Sequence, residues 1–393
     1  MKSTMNRRSW IKTSSLLTGG LTMLSGAVSA FTTTTAARIT GFTRKTTQTF
    51  NGETIPKDFP KLKARLFANE NPFGPSEKAK KAIQDAITNS YQYPFVHLAE
   101  LQKKIADYEG LKIENVMMSA GSSPLLHGTA LFCNKKGGSI ISGDPTYEDL
   151  LEKATAFNSI NWVKVPLTAE HKLDLDEMEK RVDANTAMVY ICNPNNPTGT
   201  VLDSSKLKAF CERVSKKTLV FVDEAYIDYL PDPEGSTLID CVKKGQNVVV
   251  ARTFSKLYGF AGLRVGYIVG QPELIKALEP YTAGWGCISA TSGMAALASY
   301  QDKEYMKEAL KKTLASKEYL YSVLKKEGYE YIPSATNFVM FPINMDAERF
   351  TEEMMKRGVG VRPWKFAGKE WCRVSIGKME EMEAFAEAFK QIS

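Results

Sequence analysis

Val248-Val249-Val250-Ala251-Arg252-Thr253-Phe254-Ser255-Lys256-Leu257-Tyr258-Gly259 is the stretch on which the fold turns. Its first four residues are apolar without alternation, the pattern of a strand covered on both faces. A polar segment follows at once and Gly259 closes it, so the strand ends in a loop carrying a lysine. In an open α/β sheet, ligands sit beyond the carboxyl ends of the strands, which places Lys256 at a strand mouth. A desolvated amine there can lose its proton and form an imine with a carbonyl compound. Most lysines after strands are simply solvated, so Lys256 needs partners to mean more. The hydroxyls of Thr253 and Ser255 and the guanidinium of Arg264 are the kind of donors that hold a phosphate.

The same grammar repeats outward from this stretch. Short apolar runs at 116–118, 139–141, 160–165, 188–192 and 219–222 read as strands, most of them bounded by Gly, Pro, Asp or Asn. Helical stretches lie between several of them, such as 147–157 and 204–216. Ser76 followed by 77–88 reads as a capped helix with Ala79, Ala82, Ile83, Ala86 and Ile87 on one face, and 98–108 reads as another. Short strands separated by helices predict an α/β domain with a mostly parallel sheet. The last third differs: a long helix over 303–327 precedes strands near 338–341 and 372–376, which predicts a smaller α+β lobe.

Three more polar clusters follow strands. In Ile191-Cys192-Asn193-Pro194-Asn195-Asn196-Pro197-Thr198-Gly199, two prolines and a glycine fix a rigid turn that presents amide side chains. A plain turn has no need of three asparagines. In Phe221-Val222-Asp223-Glu224-Ala225-Tyr226, Asp223 closes an apolar strand, where a carboxylate is costly unless paired. It is either a helix N-cap or the partner of a buried cation. In Ala120-Gly121-Ser122-Ser123-Pro124, small residues opening a helix make an anion site, although any capped helix shares that look.

These clusters, in this order, resemble the class I/II aminotransferases of pyridoxal-phosphate (PLP) fold type I, and within them the histidinol-phosphate aminotransferase family. Supporting motifs are Asn69-Glu70-Asn71-Pro72-Phe73-Gly74-Pro75, Asp144-Pro145-Thr146-Tyr147, the run from Ser255 through Arg264 to Gly266, and Gly360-Val361-Arg362 ahead of Arg373. The resemblance covers residue 60 to the C-terminus. It implies a large domain (93–285) with a mostly parallel seven-stranded sheet, and a smaller α+β domain made of 61–92 and 286–393. Lys256 would carry PLP as a Schiff base and act as base at the substrate Cα. Asp223 would keep the ring nitrogen protonated, and Asn196 and Tyr226 would bond the ring's phenolic oxygen. Tyr147 would stack on the ring, unless it is ordinary core. Ser122, Ser123, Thr253, Ser255 and Arg264 would hold the phosphate, with Tyr93 reaching in from the second subunit of a homodimer. Arg373 would clamp the substrate carboxylate, while Asn71, Asn196 and Arg362 would complete the substrate side. No metal is called for.

The implied reaction moves an amino group between an amino acid, or an amino-alcohol phosphate such as histidinol phosphate, and a 2-oxo acid. Gly121-Ser122-Ser123 departs from the acidic version of that loop common in the family, and Ile376-Gly377-Lys378 replaces the common Gly-Thr ending. Phe67 and Trp364 add bulk. These departures predict a paralogue acting on an amino acid with an aromatic, phosphorylated or otherwise anionic side chain. A PLP decarboxylase or lyase on the same scaffold is the alternative. A catalytically silent binding protein is a further one, against which the intact set of Lys256, Asp223, Asn196, Tyr226 and Arg373 speaks.

With 43% hydrophobic and 24% charged residues, the 393-residue chain can bury a core of two domains, which sets disorder aside. The net charge of +7 drops to +3 once the four positive charges of the first thirty residues (Lys2, Arg7, Arg8, Lys12) are removed. A body so mildly basic suits an anionic small molecule and gives no nucleic-acid signal. Those thirty residues, with Arg7-Arg8-Ser9-Trp10 ahead of a mildly apolar 14–28 and Val28-Ser29-Ala30 for cleavage, resemble a twin-arginine signal peptide. A periplasmic protein is therefore expected, free of the membrane when mature; without a working signal it would be cytoplasmic. Thr-rich 31–60 reads as a linker and N-terminal arm. The six cysteines show neither CxxC nor metal spacing, and most sit in apolar runs, as buried free thiols do.

Overall fold

The computed structural model describes residues 62–392 and two short strand segments before them. These are β1 (Gln48–Phe50) and β2 (Glu53–Ile55), paired antiparallel as a unit of their own. The arginine-pair segment 1–30 lies outside the described residues, as does the rest of 31–60.

Strand β3 (Ala64–Arg65) opens the main body. Seven strands then share one sheet: β4 (Val116–Ser119), β5 (Gly138–Asp144), β6 (Ile160–Pro166), β7 (Thr186–Cys192), β8 (Leu219–Asp223), β9 (Val248–Thr253) and β10 (Gly266–Val269). Their order is β4-β10-β9-β8-β7-β5-β6, parallel throughout except where β10 runs against both its neighbours. β7 and β8 are buried along their whole length. Successive side chains of a strand point to opposite faces, and the sheet accordingly feeds two apolar layers. Val189, Ile191, Val220, Val222, Val248 and Val250 enter one, and Met188, Tyr190, Phe221, Val249 and Ala251 enter the other. That double burial is why the runs read as unbroken apolar stretches.

Helix ends follow side-chain chemistry. Ser76 Oγ accepts from Ala79 N at 3.2 Å and starts the helix Glu77–Ile87. Asp203, one residue ahead of the expected start, caps Ser204–Val214. The helix expected over 147–157 runs only from Asp149 to Thr155. Thr146 Oγ1 donates to Asn195 Oδ1 and Asn195 Nδ2 donates to Pro145 O, which hold the stretch before it against the next loop. Tyr147 thus stays in the loop ahead of the helix.

The C-terminal lobe contains β11 (Phe338–Ile343), β12 (Val359–Gly360), β13 (Arg362–Phe366) and β14 (Lys369–Ser375). β11, β14 and β13 form an antiparallel sheet, and β12 pairs in parallel with β3. One face of that sheet packs Val339, Phe341 and Val374 onto Phe350, Phe385 and Phe389 of the helices Ala347–Lys356 and Met379–Phe389. Helices Glu77–Ile87 and Ala290–Ser299, both placed in the smaller domain by the sequence reading, pack on each other. Ala79, Ala295 and Ala296 join the core of the seven-stranded sheet instead. All six cysteines are unpaired, five of them buried. Among the described residues no helix is long and apolar enough to cross a membrane.

Candidate active site

β8 and β9 run in register with Asp223 beside Ala251, so their carboxyl ends open on the same edge of the sheet. Asp223 ends β8 and is 3% exposed. Its Oδ1 accepts from Ala225 N at 3.0 Å and its Oδ2 from the Tyr190 hydroxyl at 3.3 Å. Neither donor is a cation. Burial pushes the carboxyl up to about 6, against the pull of these two hydrogen bonds and of Lys256. Three residues past β9, Lys256 places Nζ 5.2 Å from the centre of the Tyr226 ring. The Tyr226 hydroxyl accepts from Asn69 Nδ2 at 3.0 Å.

From the other lobe, Arg373 on β14 enters the same region at 1% exposure. Its guanidinium donates to Asn196 Oδ1 at 2.7 Å and to Phe67 O at 2.8 Å, and its Cζ stands 5.4 Å from the Phe338 ring centre. The loop after β7 and the C-terminal sheet thus meet at one amide–guanidinium contact.

A third group gathers where β4 ends. Ser122 is the N-cap of the helix Ser123–Lys136 yet makes no capping bond with its side chain. The Tyr147 hydroxyl lies near Ser123. Arg264 Nη1 donates to Ser255 Oγ at 3.0 Å and to Ala261 O at 3.1 Å. Its guanidinium lies against Gly121, where an added Cβ would stand 2.2 Å from Nη2. Gly266, first residue of β10, pairs with Ser119 on one side and Thr253 on the other. A Cβ there would come within 2.5 Å of Ser122 N. A helix N-terminus, hydroxyls and a guanidinium therefore surround one spot, the donor set an anion needs. A cavity of about 600 Å³ opens beside Asn71, Gly259 and Ser375, but Lys256, Asp223, Asn196 and Arg373 do not line it. The chemistry assigns the site to their cluster.

The sequence profile of the family "Aminotransferase class I and II" matches residues 62–389. The chain belongs to that family. Among its relatives, histidinol-phosphate aminotransferase 2 of Carboxydothermus hydrogenoformans is 36% identical over 84% of this chain and 90% of that protein. The histidinol-phosphate aminotransferase of Moorella thermoacetica is 34% identical over 84% and 85%. The crystal structure of histidinol-phosphate aminotransferase from Sinorhizobium meliloti, in complex with pyridoxal-5'-phosphate, superposes with a TM-score of 0.78 at 27% identity, over 85% of this chain and 92% of that one. These matches do not favour the decarboxylase reading.

An aminotransferase of this family works with PLP on amino and 2-oxo acids, and the observed cluster fits that cofactor. Asp223 is a buried carboxylate whose near partners are neutral, as a ring-nitrogen partner has to be before the ring arrives. The Gly121–Arg264 cradle offers donors to a phosphate, and Lys256 has its amine beside Tyr226.

Not every expected residue joins the cluster. Tyr93 is 76% exposed and stacked on Phe95 at 5.3 Å, away from the site of its own chain. Asn71 serves the framework: its Nδ2 donates to Leu257 O at 2.6 Å and to the Tyr305 hydroxyl at 3.0 Å, and its Oδ1 accepts from Phe73 N. Arg362 lies directly across from Arg373 in the β13–β14 pair, its Cζ 5.9 Å from the Trp364 ring centre. Sequence reasoning gave no role to Asn69. Its amide joins Tyr226 to Ser375, whose Oγ donates to Asn69 Oδ1 at 2.8 Å. The signal available was an asparagine just ahead of Glu70-Asn71-Pro72, and its backbone is left-handed (φ 53°), a region asparagine tolerates.

Proposed function

We propose that the chain is an exported, homodimeric PLP aminotransferase whose donor is an amino acid held by Arg373 and Asn196. The observation that carries the reading is the convergence of Lys256, Asp223 and Arg373, which come from three distant parts of the chain. PLP, when bound, supplies an aldehyde for the donor's amine and an electron-withdrawing ring that acidifies the donor's Cα. Asp223, through its buried carboxylate, would keep the ring nitrogen protonated. Lys256 Nζ would be the covalent anchor and the base placed to carry the donor's Cα proton. Arg373 orients the donor by its α-carboxylate, with Asn196 fixing the guanidinium. Ser122, Ser123, Ser255 and Arg264 would hold the phosphate, with Tyr147 beside them.

On the substrate side, side chains directly opposite in an antiparallel pair share a face, so Arg362 and Arg373 point to the same side of their sheet. Two like charges facing each other favour a donor with a second anionic group. Histidinol phosphate, which the relatives' names assign to them, belongs in the test panel beside aromatic and acidic amino acids. The experiment is an absorbance titration of the purified holoenzyme with that panel and 2-oxoglutarate. A true donor bleaches the band near the visible edge and the oxo acid restores it. Release of carbon dioxide without oxo-acid consumption would instead identify a decarboxylase. Full-rate turnover of histidinol phosphate and of no other amine would overturn the amino-acid assignment.

The dimer reading is supported by Tyr91, Tyr93, Phe95 and Val96, which stand 53–80% exposed on one short stretch, an apolar patch fit for a second copy. Export rests on Arg7 and Arg8: exchanging both for lysine should leave the protein in the cytoplasmic fraction, and unchanged periplasmic recovery would refute it.

A further inference from the structure

Lys317 lies on the helix Lys303–Lys326 and is 7% exposed. Its Nζ donates to two main-chain carbonyls, Ser334 O at 2.8 Å and Thr336 O at 3.0 Å. Burial pushes this ammonium down to about 8, which marks how far it has been drawn out of water. The two carbonyls belong to a short segment, 334–337, that contacts several parts of the chain around Arg373. Ala335 N donates to Gly199 O at 2.8 Å, at the end of the loop that bears Asn196. Gly199 is left-handed there (φ 74°), and an added Cβ would stand 2.4 Å from Ser334 Oγ. Ile376 N donates to Asn337 O at 2.7 Å, three residues past Arg373. Asn337 Nδ2 donates to the carbonyls of Asn69 and Glu70 at 3.1 and 3.2 Å.

We infer that Lys317 is a positioning residue for the carboxylate clamp: by holding the carbonyls of Ser334 and Thr336, it fixes the segment on which the Asn196 loop and the end of the Arg373 strand both lean. An inward-facing carbonyl needs a donor. A buried cation supplies two from one atom, and charge-assisted bonds hold direction better than neutral ones. Without it the segment relaxes toward water, Gly199 loses its backing, and Asn196 Oδ1 moves relative to the guanidinium. Lys317 touches neither substrate nor cofactor in this account.

The inference rests on the reading of Arg373 as the carboxylate clamp, and the test separates the two. Holoenzyme carrying Lys317→Met is titrated with its best amino-acid donor and with the amine that has the same side chain and no carboxylate. Half-saturation for the amino acid is expected to rise about tenfold or more, with the amine's half-saturation and the cofactor absorbance unchanged. Lys317→Gln, which keeps an amide donor, should show a smaller rise with the same selectivity, and it is the readout if the methionine variant fails to fold. Equal losses for amino acid and amine, or no change for the amino acid, overturn the proposal. Arg373→Gln is run alongside. If it leaves amino-acid half-saturation untouched, the clamp reading falls and this inference with it; if it raises half-saturation while Lys317→Met does not, the inference alone falls.

Discussion

Asp223 shows what a buried carboxylate costs before its partner arrives. Its carboxyl is pushed up to about 6 from an ordinary 3.8 by burial. The folded cofactor-free protein thus holds this proton more tightly than the unfolded chain does. Stability is lost as pH rises from about 4 to about 6, and the loss is complete above that. Two pKa units amount to about 3 kcal/mol. Asp223→Asn should therefore raise the cofactor-free melting temperature at neutral pH and leave it nearly unchanged near pH 4, while turnover of the holoenzyme falls on the order of a hundredfold. A melting temperature that drops at neutral pH would contradict this. Lys256→Ala should remove both the visible-edge absorbance and turnover, and a variant that kept the absorbance would overturn the site. Both positions stand out in the sequence, Asp223 closing an apolar strand and Lys256 following one by three residues. Asn69 does not, since its importance comes from Tyr226 and Ser375, brought to it from far along the chain.

Among the elements, the strands were legible where both faces are buried and the apolar run is unbroken, as in β7, β8 and β9. β10 escaped notice: four residues directly after a glycine-rich loop carry no periodicity to read. The shortened helix at Asp149 escaped for another reason, because its start is set by Asn195, a residue of a different loop. The phosphate cradle depends on close backbone approach in the same way. Gly121 has φ 87°, and a methyl there would collide with the Arg264 guanidinium. Gly121→Ala is expected to weaken cofactor retention about tenfold or more, equivalent to about 1.4 kcal/mol, measured by equilibrium dialysis. Retention equal to the parent's would show that Arg264 is not the phosphate ligand.

For the whole molecule, helix packing was the least legible feature. Helices Glu77–Ile87 and Ala290–Ser299 carry small apolar faces that suit either lobe, and their fit to each other and to the large core decides the matter. The proposed second subunit belongs to this scale as well. Tyr93→Phe should leave sedimentation as a dimer intact and lower cofactor affinity by removing one phosphate donor. Tyr93→Ala combined with Phe95→Ser should shift the equilibrium toward monomer and lose the cofactor with it. A monomeric parent protein would refute both expectations.

The reversed strand β10 carries a consequence for the order of folding. Because Gly266 is paired to Ser119 and Thr253 at once, the proposed phosphate cradle does not exist until β4, from the front of the domain, has docked beside a loop made far later in the chain. Such a distant contact closes slowly. Cofactor capture therefore comes after collapse of the sheet and cannot nucleate it. It acts as a latch: by binding only the completed arrangement, it draws the last docking step forward through mass action.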